Sequence, residues 1–73
     1  MIRFFLKERI AEKEFREKRK IKLDEISKES GVSRNTLSRI LNTYGYSTST
    51  EVLDKLCEYF ECQLADLAEY VED

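Results

Sequence analysis

The apolar residues of this chain recur mostly at helical spacing. In the stretch LDEISKESGVSRNTLSRILN, residues 23–42, Ile26 opens an apolar pattern, Gly31 and Val32 interrupt it, and Leu37, Ile40 and Leu41 resume it at i, i+3 and i+4. That spacing is one face of an α-helix. Gly31 follows the first run at the point where a helix stops and φ turns positive. Ser33, two residues on, offers an N-cap hydroxyl for a second helix. The pattern predicts helices over Leu23–Ser30 and Arg34–Asn42 joined by a three-residue reversal. This is the shape of a helix-turn-helix, whose second helix can enter a DNA major groove.

The flanking pattern adds three more helices. Ile2, Phe4 and Leu6 alternate, and Leu6 and Ile10 then take up helical spacing. Residues 1–5 therefore read as an extended arm or short strand, with the first helix from Leu6 to somewhere between Phe15 and Lys20. The other reading starts that helix at Ile2. Residues 69–72 are a candidate partner for the arm in a two-stranded ribbon. Residues 43–49 form a loop with Gly45 at its turn, and Thr48 or Ser49 caps the next helix, Thr48 with Glu51 making a capping box. That helix spans Thr50–Phe60, and a last short one covers residues 64–68. The expected core is Leu6, Ile10, Ile26, Val32, Leu37, Ile40, Leu41, Leu53, Leu56, Cys57, Phe60, Leu64 and Leu67.

With Leu37, Ile40 and Leu41 turned inward, Arg34, Asn35, Thr36, Ser38, Arg39 and Asn42 lie on or near the solvent side. Arg pairs with guanine O6 and N7, and Asn with adenine N6 and N7, through two hydrogen bonds each. Ser, Thr and Asn also reach phosphate oxygens. The helix carries no Asp or Glu, so nothing on its face is expected to repel phosphate.

Charge changes the picture more than composition does. The net charge is −2, which alone argues against nucleic acid. Residues 1–42, however, hold twelve Lys or Arg against seven Asp or Glu, a balance of +5, and residues 43–73 hold one Lys against eight acids, a balance of −7. A dipolar domain can turn its basic part to DNA, although the same distribution also suits ordinary solvated helix surface. Arg16, Lys18, Arg19, Lys20 and Lys22 cluster after the first helix, either as its charged end or as a loop that touches phosphate.

The 73 residues suit one small all-helical domain with no Pro, two Gly and 38% charged residues. No apolar run approaches the roughly 18 residues of a membrane span, and MIRFFLKER lacks a signal-peptide cleavage site. An intracellular, cytoplasmic protein is expected. Cys57 and Cys62, with no His in the chain, do not make a zinc site. Cys57 lies on an apolar stripe and reads as core. No metal, no cofactor and no catalytic residue is expected, since the carboxylates occupy exposed helical positions and no Gly-rich phosphate loop occurs.

The GVSRNTLSRI run, Gly31 and the phrase LDKLCEYFECQLADLAEYV at residues 53–71 together resemble the Cro/CI-type (XRE-like) helix-turn-helix regulators of bacteria and phages, in their small standalone form. The likeness covers about residues 6–71. It implies an all-α, five-helix, lambda-repressor-like fold and sequence-specific binding of double-stranded DNA by a transcriptional regulator, a repressor by expectation. By position, the resemblance implies base contacts from Arg34, Asn35 and Arg39, with Ser38 able to serve base or phosphate. It implies phosphate contacts from Ser33, Thr36 and Asn42. Lys28 and Lys22 are further phosphate candidates, and Tyr44 and Tyr46 either lie on sugar-phosphate or cover the core edge. Leu23 stands where a phosphate-holding Gln is common, and Ser27 where Ala is common. A homodimer on two half-sites is the usual arrangement, with Phe4, Phe5, Tyr70 and Val71 as exposed candidates for its surface. A protein partner for the acidic C-terminal half, as in DNA-binding antitoxins of this fold, is the alternative function.

Overall fold

Each helix boundary has a local cause. The computed structural model describes residues 1–72. Strand β1 (Ile2–Phe4) leads into α1 (Leu6–Glu17), followed by α2 (Leu23–Ser30), α3 (Arg34–Asn42), α4 (Thr50–Phe60), the one-turn α5 (Leu64–Leu67) and β2 (Ala68–Tyr70). Gly31 ends α2 at φ +84°, donating its N–H to the Ser27 carbonyl. Ser33 starts α3, its Oγ accepting from Thr36 N at 3.1 Å. The end of α4 is a Schellman turn: Glu61 is left-handed at φ +53°, Cys62 N donates to Cys57 O and Glu61 N to Glu58 O.

The arm is a strand, and α1 starts at Leu6, not Ile2. β1 and β2 run antiparallel with Ile2 opposite Tyr70, Arg3 opposite Glu69 and Phe4 opposite Ala68. The ribbon is thus set one residue earlier than residues 69–72. Ala68 is already extended at φ −152°, which ends α5 at Leu67, one residue short of expectation. Met1 and Val71 exchange two further hydrogen bonds, 3.0 and 2.8 Å, that continue the ladder.

Nine apolar residues close the core: Leu6, Ile21, Ile26, Val32, Leu37, Ile40, Leu56, Phe60 and Leu67. Ile10, Leu41, Leu53 and Cys57 pack half-buried against it. α2 packs on α3 and α4, α4 on α5, and α1 on α3 and α5. The α3 helix is therefore held from both sides.

Three further expectations need correction, and one core residue is added. Leu64 is 56% exposed, because α5 has a single turn and docks through Leu67; Leu64, at its first position, rests on the rim of a shallow cleft with Thr50, Leu53, Asp54 and Cys57. Ile21 is buried although it stands alone in a basic run. The cap of α4 is Ser49, accepting from Val52 N at 3.2 Å; Val52 then occupies the third helical position and has no group to return a bond, so Thr48 and Glu51 make no capping box. The capping-box carboxylate is found at α5, where Asp66 Oδ2 accepts from Gln63 N at 3.1 Å. Phe4, Phe5 and Val71 are half-buried, and Tyr70 alone of the four suggested dimer residues is exposed. Phe4 packs on the core, and Arg3 lies 5.1 Å from the centre of the Phe5 ring.

The basic stretch after α1 is part helix, part loop. α1 continues to Glu17, Lys18 adopts a left-handed cap at φ +56°, and residues 19–22 cross back to α2. Ile21 plugs the core from this crossing, its N–H held by Glu14 Oε2 at 2.9 Å. Arg19 forks onto Glu25, with Nη1 and Nη2 at 2.8 and 2.6 Å from the two carboxylate oxygens, and its Nε donates to Glu17 at 3.0 Å. Hydrogen bonds from Arg19 hold the Glu25 carboxyl below its usual range, and bonds from Lys13, then Arg19, do the same for Glu17.

Three outcomes follow for stability. Gly31→Ala lowers it by about 1–2 kcal/mol through backbone strain, since an added Cβ meets nothing nearer than Lys55 at 3.9 Å; Gly31→Asn costs less, as urea unfolding measures. Ile21→Ala costs about 2–4 kcal/mol, while Leu64→Ala stays within about 0.5 kcal/mol of the parent. Arg19→Ala lowers the melting temperature at neutral pH. Carboxyls depressed in the folded state contribute stability above the unfolded value of 4.5 and lose it as pH falls through the lower folded one. The difference between parent and variant therefore closes as pH drops below about 4.5; a difference that does not change with pH contradicts the ion-pair account.

Candidate nucleic-acid interface

The site is built by the turn between α2 and α3. Val32 is buried at 3% exposure and anchors the turn from below, its N–H bonded to Ser30 Oγ at 3.1 Å. Leu37 and Ile40 are buried, and Leu41 is half-buried. Two turns of α3 are thereby fixed by their apolar side, and the opposite side faces solvent.

That outward side holds the expected residues. Ser33, Arg34, Asn35, Arg39 and Asn42 are exposed, and Thr36 and Ser38 are half-buried between them. Their hydroxyls are partly committed within the helix. Ser33 Oγ donates to Thr36 Oγ1 at 2.8 Å while accepting from Thr36 N. Asn42 Nδ2 donates to Ser38 Oγ at 3.2 Å. In both pairs the accepting hydroxyl, Thr36 or Ser38, keeps its own hydrogen for an outside acceptor such as a phosphate or base oxygen. Asn35 has no hydrogen-bond partner among the described side chains, and both ends of its amide are open.

The flanking candidates are also at the surface. Lys22, at the N-cap of α2, and Lys28, in its last turn, are exposed and have no ion-pair partner among the described residues. Arg39 is likewise unpaired there. Tyr44 is 83% exposed just past α3, whereas Tyr46 is half-buried and packs on the core. Tyr46 thus covers the core edge, and Tyr44 does not. Leu23 is half-buried against the core, so it serves packing. Of the basic cluster, Arg19 is committed to Glu17 and Glu25, which leaves Arg16, Lys18, Lys20 and Lys22 exposed.

One residue was not foreseen. Although α3 has no acid, Asp24 in the first turn of α2 lies beside it, Oδ1 3.2 Å from Arg34 Nε. The expectation of an acid-free surface holds for the helix and fails for the face. Only the α2–α3 crossing brings residues ten apart together, and no local pattern signals it.

The remaining chemistry is modest. Cys57 and Cys62 are free thiols packed half-buried at the core edge, and burial pushes the Cys62 thiol up. No group of three metal-binding side chains occurs among the described residues, and none of their helices is long and apolar enough to cross a membrane.

No curated protein and no solved structure matches the chain. The sequence profile of the Cro/C1-type HTH DNA-binding domain matches residues 13–73, a span that contains the turn, α3 and the whole C-terminal half. The chain belongs to the family of Cro/C1-type helix-turn-helix DNA-binding domains, and binding double-stranded DNA in transcription regulation is its function.

Proposed function

We propose that the chain is a sequence-specific repressor that lays α3 in the major groove of its operator. The observation that carries this reading is the exposure of Arg34, Asn35 and Arg39 on a helix whose other face is fixed by Leu37 and Ile40. Burial of those three against the domain would have defeated it. Arg34 and Asn35 enter the groove first and read base edges, and Arg39, one turn on, reads a third with Ser38 beside it. Ser33, Thr36, Asn42, Lys22, Lys28 and Tyr44 contact the backbone and set the register. Occupying a site excludes other proteins from it and needs no surface beyond this one, which favours repression.

A helix of nine residues reads few base pairs. A two-fold homodimer on half-sites about 34 Å apart multiplies that information, and this is the assembly proposed, acting in the cytoplasm. The second reading is a protein partner for the acidic half. It is supported by exposed Leu64 and the shallow apolar cleft around it.

Selection of bound duplexes from a random pool at about physiological salt tests the proposal. An inverted repeat with half-sites one turn apart is the expected result. Absence of any enriched sequence contradicts it and favours the protein partner. On the selected site Arg34→Ala costs about 1–3 kcal/mol and relaxes the preference at one base pair, whereas an equal loss on every duplex excludes base contact. Lys22→Ala reduces the slope of log affinity against log salt by about 1, and Arg19→Ala leaves it unchanged because its guanidinium is already neutralised by two carboxylates.

A further inference from the structure

Arg34 does not extend freely from the start of α3. Its Nε lies 3.2 Å from Asp24 Oδ1, and the pair is open to water, with the two side chains 68% and 71% exposed. An ion pair so exposed adds little to folding stability, and neither residue packs on the core. Asp24 approaches the guanidinium at its inner nitrogen as an ion pair without hydrogen-bond alignment, and the terminal nitrogens Nη1 and Nη2 have no hydrogen-bond partner among the described residues. Those two nitrogens form the fork that meets guanine O6 and N7 through parallel hydrogen bonds.

Asp24 suits the positive end of α2, in whose first turn it stands, but it carries a cost at the interface. A carboxylate on a surface that approaches phosphate repels it, and the nearby positions Lys22, Lys28, Asn35 and Arg39 are basic or neutral. The charge is tolerable where it is cancelled, and Arg34 cancels it. The two together are neutral, so they add little to the general attraction for DNA. A braced arginine also loses less side-chain freedom on binding than an unbraced one, and it is less able to swing from the base to the nearest phosphate.

We propose that Asp24 is a positioning residue for base readout, holding Arg34 through Nε so that Nη1 and Nη2 select one guanine. The inference rests on α3 being the recognition helix, as proposed above. It assigns to α2 a share in sequence choice that none of its own side chains exerts by touching a base. Arg34 supplies the contact and Asp24 its direction.

The test compares the parent, Asp24→Ala, Arg34→Ala and the double variant on the selected duplex, on its three single-base replacements at the pair that Arg34→Ala identifies, and on an unrelated duplex. The expected result is that Asp24→Ala lowers guanine preference at that same pair about 3- to 10-fold, with other positions unchanged. Affinity for the unrelated duplex stays level or rises, because a repelling charge is gone. The double variant shows no further loss of preference beyond Arg34→Ala alone, as coupling requires. Thermal melting of each variant confirms the fold. Full retention of guanine preference in Asp24→Ala, with affinity raised equally on all duplexes, overturns the inference and leaves Asp24 as a repelling charge only. A change at a different base pair from that of Arg34 overturns it too, since Asp24 would then itself read a cytosine amino group. Selection that enriches no sequence with the parent protein overturns the recognition-helix reading and this inference with it, which separates the two failures.

Discussion

The angle between α2 and α3 is the constraint on which everything else depends. Two short helices cannot hold a fixed crossing by propensity alone, because isolated helices of eight or nine residues are marginal in water. Their geometry comes from three residues at the corner and below it. Gly31 supplies the positive φ that ends α2. Val32 is drawn into the core immediately after. Ser33 satisfies one of the free N–H groups in the first turn of α3, that of Thr36. Beneath them Ile26, Leu37 and Leu56 are fully buried and join three helices. The remaining helices extend this centre, with α1 and α5 supporting it and the β1–β2 ribbon tying the two ends of the chain together.

Fixing that angle has an electrostatic consequence. It aims the polar side of α3 outward and brings Asp24 onto Arg34. Elsewhere the basic N-terminal half is much less basic in space than in sequence. Arg3 faces Glu69, Arg9 faces Glu12, Lys13 faces Glu17, and Arg19 is gripped by Glu17 and Glu25. The cations left without an acid among the described residues are Lys7, Arg16, Lys18 and Lys20 on α1 and its loop, Lys22 and Lys28 at the two ends of α2, and Arg39 on α3. The unpaired positive charge is thus shared between α1 with its following loop and the α2–α3 region, and the part on α2 and α3 favours an approaching backbone.

Much of this was readable along the chain, and the exceptions have a common cause. Periodicity located α2, α3 and α4, and Gly31 and Ser33 marked the turn to the residue, because those signals are local. Alternation at Ile2, Phe4 and Leu6 indicated the arm as a strand. Ile21 escaped because a single apolar residue in a crossing has no period to reveal it. Leu64 was mistaken for core because helical spacing does not show that α5 stops after one turn. Thr48 and Ser49 are chemically equivalent choices for the cap of α4, and Ser49 is the one used, so the Thr48–Glu51 capping box does not form. On the outward face, exposure of Arg34, Asn35 and Arg39 followed from the burial of Leu37 and Ile40. The Arg34–Asp24 pair did not, since it depends on an inter-helix distance. In each miss the deciding fact was tertiary.

The central claim is that the outward side of α3 is the surface that meets DNA. Mapping backbone amide chemical shifts of the labelled chain during titration with a duplex tests it most directly. The account predicts that the largest shifts fall on residues 33–42, with smaller ones at Lys22 and Lys28, while Leu53, Leu56 and Leu64 remain unmoved. Shifts centred on α4 and α5 with Arg34, Asn35 and Arg39 unchanged would contradict it.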